Sequence, residues 1–596
     1  MKKTKRLTAL LLVWLLLVTL CACAPAQKEK PSALRAEENP AAEASLPQQS
    51  ETLPENPDAG SEEAAQSAFA PVQARPMLCG GGYYQRRART PVKYADMDVP
   101  EITREQFEQA LQAIRDAAES GSGAAFHSAV FEAEQAMTWI ETAYAFASNE
   151  NAADPMDDAA AKRMQELESF CNETFNLYYG VLHEVSLGEN ASMLRRQFDY
   201  DVIAYIEEFD LEQAEQVREQ TEKSTELLLQ YEQMICEDKP DYDAIAELYV
   251  ELVEIWKKEA ELAGYESCAK YMYDQYYLRD YSPTDAQKIW DTAKHDFSPL
   301  LFEAISQVLD AADRAGERFA YDGSDTAVLQ ALAYGAAGLS PEIRDACAYL
   351  TEYGLYDIAY SEDKLDQGYT IWLSAYEVPF IFNCPYGDYY DFCTMFHEFG
   401  HFVSAFYGDT QSVSDACDLD LSELQSQGME VMFFQFYDEI FGEENAAAIR
   451  AETLINLIDS VVEGALYDEF QQKVFEEENL TAARVKELYL QTCQDYGISA
   501  YEGLENGWMD VIHNFEAPFY YISYAVSAMP ALELFVRQEE DPAEALDSYL
   551  RLSAMSPASY YMTDALKETG LANHMTVPCG DVLADRIRQT GALDVE

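Results

Sequence analysis

Apolar residues recur at every third or fourth position over most of the chain from about residue 101 onward. This spacing places them on one face of an α-helix, which has 3.6 residues per turn. The segments 103–119, 161–186 and 243–265 show the pattern clearly. Short breaks with Gly, Pro, Asp or Asn separate such segments, and no fixed-period repeat is visible. The pattern therefore predicts a mainly α-helical protein.

The helical pattern covers a long stretch, and residues 76–596 are predicted to form the folded domain. Chains longer than about 250–300 residues generally form more than one hydrophobic core, so this stretch is too long for one simple core. Two helical lobes that flank a cleft fit the length.

The N-terminus has a different pattern. Four basic residues stand within the first six positions, and residues 7–20 are almost wholly apolar. A membrane-spanning helix needs about 20 apolar residues, so this run indicates a signal peptide over 1–22. Residues 20–23, Leu-Cys-Ala-Cys, look like a bacterial lipobox, which predicts lipid attachment at Cys23. Cys21 fits less well because the bulky Leu20 precedes it, and an ordinary secretory peptide is the alternative.

Residues 23–75 are rich in Ala, Glu, Pro, Gln and Ser and nearly lack aromatic residues. Such a segment cannot bury enough apolar surface to fold, so it is predicted to be a disordered tether. Together with the leader, it predicts an extracytoplasmic, cell-surface lipoprotein of a bacterium. The folded domain would then be attached to the membrane only through its N-terminal lipid.

The chain is strongly acidic, with 107 Asp and Glu against 40 Lys and Arg and a net charge of −67. Phosphate binding needs clustered basic side chains, so nucleic acid is excluded as a partner. The charge also argues against docking of the folded body on anionic lipid. Ten cysteines lie after the lipobox without a C-x-x-C pair, and both disulfides and buried thiols remain open.

Residues 397–401 read His-Glu-Phe-Gly-His, which is an H-E-x-x-H run. Apolar residues at steps of three and four predict that 389–407 is a helix ending at Gly408. On this helix His397 and His401 project from the same face. This spacing is typical of zinc hydrolases, in which two His bind one zinc ion. Glu398 would then act as general base for a water that the zinc activates.

A short motif also arises by chance, and a His on an apolar helix is more often a core residue than a ligand. Histidine is scarce here, however, with only seven in 596 residues. Two of the seven flank a Glu at positions i and i+4 of a helical segment. This coincidence favours the metal site.

A catalytic zinc takes three protein ligands and leaves one position for water. The third ligand is expected from 418–430, which begins a second predicted helix that continues to residue 441. Glu423, Asp418 and Asp420 are the alternatives, and Glu423 is preferred for its register with the apolar stripe. Glu430 lies two helical turns beyond Glu423. It is either a group that orients a ligand His or a solvated charge.

Three segments together resemble the zinc oligopeptidases of the thimet oligopeptidase and oligopeptidase F family. The run 420–430 is similar to the family pattern Asp-x-x-Glu-x-x-Ser-Gln-x-x-Glu, in which the first Glu is the third zinc ligand. The resemblance therefore implies Glu423. Residues 263–285 look like the Gly-Tyr…Arg-Asp-Tyr stretch of the oligopeptidase F branch, and 513–525 look like the family's segment of a His followed by tyrosines.

The resemblance implies that His513 and nearby Tyr hydroxyls stabilise the oxyanion of the tetrahedral intermediate. Tyr520, Tyr521 and Tyr524 are the candidates, and Tyr521 with Tyr524, three positions apart, forms the predicted pair. The chain contains 40 Tyr, so packing roles are the alternative. The sequence departs from the family pattern at Gln425, where a Pro is usual. The stretch 369–383 lies where the family has an active-site strand.

The resemblance also implies a two-lobed, predominantly helical zincin fold with a deep substrate channel. A small β element would lie beside the active-site helix, and the active-site half would span about 340–540. The predicted function is a monomeric zinc endo-oligopeptidase, with one Zn²⁺, that cleaves short peptides. The alternatives are a non-catalytic peptide-binding lipoprotein on the same scaffold and a zinc carboxypeptidase.

Overall fold

The computed structural model of the chain describes most of the region after residue 88. The described residues are 22–23, 83–84, 89–198, 200–235, 239–319, 321, 323–361, 363–365, 367–385, 387–408, 417–577 and 579–595. The predicted leader and tether lie outside them, apart from Ala22 and Cys23. Among the described residues, no helix combines the length and the apolar character needed to cross a membrane.

The first part of the chain is helical, as the periodicity predicts. Its helices are α1 Arg104–Ser120, α2 Gly123–Ala153, α3 Asp158–Ser186, α4 Leu194–Gln197, α5 Tyr200–Glu208, α6 Leu211–Ile235, α7 Tyr242–Leu262, α8 Cys268–Tyr271, α9 Pro283–Thr292, α10 Ser298–Arg318, α11 Asp325–Leu339 and α12 Pro341–Tyr353. The start of α1 has a clear local cause. The Thr103 side chain accepts a hydrogen bond from the N–H of Gln106, whose side chain accepts one from the N–H of Thr103.

Helices also form most of the second part. They are α13 Tyr390–Tyr407, α14 Leu419–Phe433, α15 Tyr437–Phe441, α16 Glu443–Glu476, α17 Ala482–Asp495, α18 His513–Glu516, α19 Ile522–Glu540, α20 Pro542–Ser553, α21 Met562–Thr569 and α22 Gly580–Thr590. The expected helix at 389–407 is thus present as α13, and Gly408 follows its last residue.

The prediction of one continuous helix from 418 to 441 was wrong. Helix α14 ends at Phe433, and a 3₁₀ turn at Phe434–Phe436 separates it from α15. Phe433 stacks on Phe396 of α13, while the ring of Phe434 contacts Phe535 of α19. A 3₁₀ turn is a common way for an α-helix to end, and here it separates two helices whose apolar positions form one uninterrupted pattern in the sequence.

A small sheet lies beside α13. Strands β3 Gly368–Leu373 and β4 Val378–Asn383 pair antiparallel, and the short strand β2 Tyr356–Asp357 pairs parallel with β4. A two-residue strand, β1 Ala22–Cys23, pairs antiparallel with the outer side of β3. The stretch 369–383, expected to contain a strand, therefore forms a hairpin of two strands. The predicted β element beside the active-site helix is confirmed.

The described residues form two hydrophobic cores. The smaller core lies among α1 to α6 and extends from Phe107 to Ala214. The larger core contains α7 to α22 and the β3–β4 hairpin. Helix α2 contributes to both, because Tyr144 belongs to the smaller core while Ala145 and Ala152 belong to the larger one. The mainly α-helical fold class is confirmed, and the candidate site lies in the larger core.

Candidate metal centre

Helix α13 carries the H-E-x-x-H run through the interior of the larger core. His397 and His401 lie one turn apart on it, with ring centres 5.0 Å from each other. They are 8% and 4% exposed, and Glu398 between them is fully buried. The same apolar positions that predicted the helix bury it, and this places both imidazoles away from bulk water.

Helix α14 brings a carboxylate to these two imidazoles. Glu423 Oε2 lies 3.4 Å from Nε2 of His397 and 3.8 Å from Nε2 of His401. The three ligand atoms all lie within 4.8 Å of one another, and the three residues are buried. Among the described residues this is the one group of His, Cys, Asp and Glu with such a geometry.

Gly400 allows α13 and α14 to come this close. A Cβ at position 400 would lie 2.6 Å from Cα of Ser426 and 3.0 Å from the carbonyl oxygen of Gln425. Both atoms belong to the backbone of α14, which cannot move aside as a flexible side chain can. The absence of a side chain at Gly400 therefore permits this close contact between the two helices.

We expect Gly400→Ala to destabilise the fold and weaken metal binding together. The added methyl group pushes α14 away from α13, and overpacking of this kind costs about 1–3 kcal/mol. Urea unfolding and a zinc-binding titration measure the two effects. Gly123→Ala is a matched control, since the nearest atom to its added Cβ is a side-chain nitrogen at 3.8 Å. Equal stability and zinc affinity of Gly400→Ala and wild type would contradict the role of this contact.

The outer nitrogens of both imidazoles are held by α14. His397 Nδ1 donates to Oε1 of Glu430 at 2.6 Å, and His401 Nδ1 lies 3.1 Å from Oγ of Ser422. The Nε2 atoms of both imidazoles face Glu423. Both Nε2 atoms are buried and have no hydrogen-bond partner among the described residues. Of the two roles considered for Glu430, the structure therefore places it against a ligand candidate.

The donor set fits a zinc ion. Zinc bonds of about 2.0–2.2 Å at tetrahedral angles separate neighbouring ligand atoms by roughly 3.3–3.6 Å. The distances of 3.4 and 3.8 Å from Glu423 Oε2 to the two imidazole nitrogens are close to that range. Two buried nitrogens without hydrogen bonds facing one carboxylate oxygen also match the three-ligand set of a catalytic zinc, which keeps a fourth position for water.

The ionisation of His401 and Glu423 suits metal binding, whereas the imidazole of His397 would have to release a proton to a binding metal ion. Burial lowers the pKa of His401 to about 4, so this imidazole is neutral near pH 7. Burial alone raises the pKa of Glu423, but the adjacent imidazoles of His397 and His401 and the hydroxyl of Tyr520 outweigh it and lower the pKa to about 2. Burial lowers the pKa of His397 as well, and the carboxylates of Glu423 and Glu430 raise it well above its usual value.

The other acidic residues proposed as third ligand have different partners. Asp418 caps α14, accepting hydrogen bonds from the N–H groups of Leu421 at 2.9 Å and Met562 at 3.0 Å. Asp420 pairs with the buried Arg279. Neither carboxylate belongs to the ligand group, so of the three alternatives the structure brings only Glu423 to the two imidazoles.

Strand β3 fixes the candidate general base. The Thr370 hydroxyl lies 2.7 Å from Oε2 of Glu398. A Cβ at Gly368, two residues earlier, would lie 3.6 Å from Oε1 of the same side chain. The contact with Thr370 was not predicted. Its only signal in the sequence was the position of the 369–383 stretch, which lies where the family has an active-site strand.

His513 and three tyrosines form a cluster next to the ligand group. The His513 ring stacks on Tyr520 at 5.3 Å and makes edge contacts with Tyr521 at 5.4 Å and Tyr524 at 6.1 Å. The rings of Tyr521 and Tyr524, the predicted pair, lie 5.3 Å apart. Tyr520 has a separate position, since its hydroxyl donates to Oε1 of Glu423 at 2.5 Å. Sequence reasoning did not predict this bond to a ligand.

The described cysteines are free thiols. They are Cys171, Cys268, Cys347, Cys384, Cys393, Cys417, Cys493 and Cys579. Cys393, one turn before His397, has its Sγ 3.5 Å from the hydroxyl of Tyr437. No described cysteine joins the ligand group, so the additional thiolate ligand considered from the sequence is not part of it.

Comparison with known proteins places this site in a recognised family segment. Residues 342–570 match the family model Peptidase family M3, and this range contains each residue of the ligand group, Glu398 and the His513 cluster. No protein among the curated sequences matches. The match supports peptidase activity of the metallopeptidase type.

Solved structures share the fold over most of the chain. A structure of PZ peptidase A with an inhibitor is 21% identical, covers 84% of this chain and 99% of its own, and has a TM-score of 0.66. A candidate oligoendopeptidase F from Bacillus anthracis str. Ames is 16% identical, with 84% and 98% covered and a TM-score of 0.66. A carboxypeptidase from Pyrococcus furiosus is 14% identical, with 83% and 100% covered and a TM-score of 0.52. At these identities the likeness shows the fold alone.

Proposed function

We propose that this protein is a zinc-dependent endo-oligopeptidase of the M3 family that hydrolyses short peptides. The observation that carries the proposal is the buried group of His397, His401 and Glu423 with Glu398 on the same helix. It lies inside the segment that matches Peptidase family M3. The fold neighbours, which include a PZ peptidase and a candidate oligoendopeptidase F, support the same class of enzyme.

The residues of α13 and α14 have two roles in hydrolysis, metal binding and proton transfer. His397, His401 and Glu423 would hold one zinc ion, which supplies a Lewis acid and a lowered pKa of about 7 for a coordinated water. Glu398 accepts the proton of the attacking water and returns it to the leaving amine. The Thr370 hydroxyl holds Oε2 of Glu398, so the base keeps one orientation through both proton transfers.

The cluster around His513 supplies donors for the oxyanion of the tetrahedral intermediate. Preorganised donors that face developing charge in a site shielded from water lower the barrier, typically by about 3–4 kcal/mol each. Tyr521 and Tyr524 are the proposed donors because their rings contact each other and that of His513. Tyr520 already donates to Glu423 and is therefore not assigned to the oxyanion.

The place of action follows from the N-terminal sequence. We propose that residues 1–22 are removed as a lipoprotein signal peptide and that Cys23 carries the lipid. The tether at 23–75 would hold a monomeric enzyme outside the cytoplasm, at the cell surface, within reach of external peptides. Mass analysis of the mature N-terminus would distinguish the lipidated protein from an unlipidated secreted form.

A zinc carboxypeptidase is the second candidate function. The likeness to the carboxypeptidase from Pyrococcus furiosus favours it, because that enzyme shares the overall fold. Both activities use the same metal and base, and they differ in which bond of the peptide reaches the metal. A non-catalytic peptide-binding protein is a weaker alternative, since such a protein would not need Glu398 between the ligand candidates.

Cleavage of blocked peptides of graded length tests the proposal. We expect purified protein to contain one zinc per chain and to cut peptides of about ten residues internally, including those amidated at the C-terminus. Mass spectrometry of products separates internal cuts from the removal of single C-terminal residues. Trimming of free but not amidated peptides would establish the carboxypeptidase instead. Absence of both zinc and cleavage would refute an enzyme of this type.

A further inference from the structure

The two oxygens of Glu423 have different neighbours. Oε2 faces the Nε2 atoms of His397 and His401, and Oε1 accepts the hydrogen bond from the Tyr520 hydroxyl at 2.5 Å. Tyr520 and Glu423 are 0% and 1% exposed, so water does not compete for this bond. Because Oε1 is bonded to Tyr520, only Oε2 of Glu423 is available to a metal.

The position of the Tyr520 hydroxyl depends on the loop that precedes α19. In this loop, Phe519 has a φ of 66°, a conformation that is unfavourable for a residue with a side chain. Three hydrogen bonds hold the loop at its backbone. Tyr277 donates to the carbonyl oxygen of Pro518 at 2.8 Å, Arg279 donates to that of Phe519 at 2.9 Å, and the N–H of Phe519 donates to Oε1 of Gln471 at 2.6 Å.

The same Arg279 side chain also binds α14. Its Nε lies 3.3 Å from Oδ1 of Asp420, which is one helical turn before Glu423. Tyr281 donates to the other oxygen of Asp420 at 2.7 Å. Ser523, at the start of α19, accepts from Arg279 at 2.8 Å and donates to Asp420. One guanidinium therefore links the loop that presents Tyr520 to the helix that presents Glu423.

This linkage is entirely enclosed. The side chains of Arg279 and Asp420 are 0% and 1% exposed, and the guanidinium lies 4.3 and 4.4 Å from the ring centres of Tyr273 and Tyr277. Replacing pairs of this kind by apolar residues is often neutral, so stability alone does not explain them. Their best supported use is to fix one geometry, and the planar fork of Arg suits this better than Lys does.

We infer that Arg279, Asp420, Ser523 and Tyr520 form a positioning clamp that holds Glu423 as a ligand through one oxygen. The inference rests on the proposed function, in that it concerns the zinc site proposed above. The clamp keeps the second oxygen of Glu423 away from the metal, which leaves a coordination position for water. Its members are positioning residues, because they would act on the metal through Glu423.

Zinc affinity of the metal-stripped full chain tests the clamp without any peptide. We expect Tyr520→Phe to raise the zinc dissociation constant by about 10–100-fold in competition with a chromogenic chelator. Thermal unfolding of the metal-free protein shows that the variant folds. Tyr178→Phe is the matched control, because it removes a buried tyrosine bond to a carboxylate, Glu134, at 2.8 Å in the smaller core. An unchanged dissociation constant in Tyr520→Phe would overturn the clamp.

A double-mutant cycle tests whether the members act as one unit. Ser523→Ala removes one link between Arg279 and Asp420 and perturbs the buried core less than Arg279→Lys does. Arg279→Lys can be used as a second variant if it folds. We expect the combined loss of zinc affinity in Tyr520→Phe with Ser523→Ala to be at least threefold smaller than the product of the separate losses. Independent, multiplicative losses would overturn the coupling through Arg279.

The outcomes separate this inference from the proposed function. If wild type binds zinc and the variants bind it equally well, the clamp fails and the proposed enzyme stands. If wild type binds zinc without cleaving peptides, the proposed activity fails while the affinities still decide the clamp. If wild type binds no zinc, both are refuted.

Discussion

Glu398→Gln is expected to abolish most peptide cleavage and to leave the zinc site intact. Gln keeps the size of Glu398 and an oxygen that accepts the hydrogen bond from Thr370. It cannot accept a proton from the attacking water. Loss of a positioned general base lowers the rate by about 10²–10⁴-fold. We therefore expect kcat/KM to fall by about this factor, measured with quenched fluorescent peptides.

Zinc content and a second Glu→Gln variant complete this test. Glu398 is not one of the three ligand candidates, so Glu398→Gln should retain one zinc per chain by elemental mass spectrometry. Glu259→Gln is the control, since Glu259 is also buried and accepts hydrogen bonds from Tyr271 at 3.0 Å and Tyr276 at 2.6 Å. Burial raises the pKa of Glu259 to about 7, so a neutral amide suits its site. Equal cleavage by Glu398→Gln and wild type would refute the proposed base.

Glu423→Gln should have the largest effect on metal binding. The substitution removes the negative charge that faces His397 and His401, and it keeps an oxygen that can accept the bond from Tyr520. Variants that remove a partner of a ligand lose about 10–100-fold in metal affinity, and loss of the ligand itself should exceed that range. We expect the zinc dissociation constant to rise more than about 100-fold.

Glu430→Gln should reduce zinc affinity less than Glu423→Gln does. It changes only the partner of His397 Nδ1, so its loss should stay within about 10–100-fold. Zinc at about 100 times its dissociation constant adds roughly 2.7 kcal/mol to the stability of the wild type. A chelator should therefore lower the Tm of wild type, and it should change the Tm of Glu423→Gln much less. Tight zinc binding by Glu423→Gln would contradict its assignment as a ligand.

Local features of the candidate site could be predicted from the sequence. The i and i+4 spacing of His397 and His401 requires only a helix, and the apolar period around them predicts that helix. The register of Glu423 follows from the second helix in the same way. Helix period and hydrophobic burial act over a few residues, so they can be read without knowing the fold. The break after Phe433 could not be predicted, because the apolar pattern continues through 434–441 and contains no Gly or Pro there.

Contacts between distant segments were beyond such reasoning. Thr370 meets Glu398 from 28 positions away, and Tyr520 meets Glu423 from 97 positions away. The chain has 40 tyrosines, so nothing in the sequence identifies Tyr520 as the one that binds a ligand. Arg279 reaches Asp420 across 141 positions. Their partners are set by how β3, α14 and the loop before α19 pack in the larger core.

The sequence by itself therefore predicted the candidate chemistry of this protein: two imidazoles and a carboxylate on one helix, a second helix with candidates for a third ligand, and a mainly helical fold. These follow from periodicities of 3.6 residues, which bonding within a helix enforces locally. The tertiary structure alone decided the orientation of that chemistry. Gly400 sets the approach of α13 to α14, Thr370 holds the base, and Tyr520 selects the oxygen of Glu423 that faces the imidazoles. Orientation depends on close packing between segments far apart in the chain, and no local pattern records it.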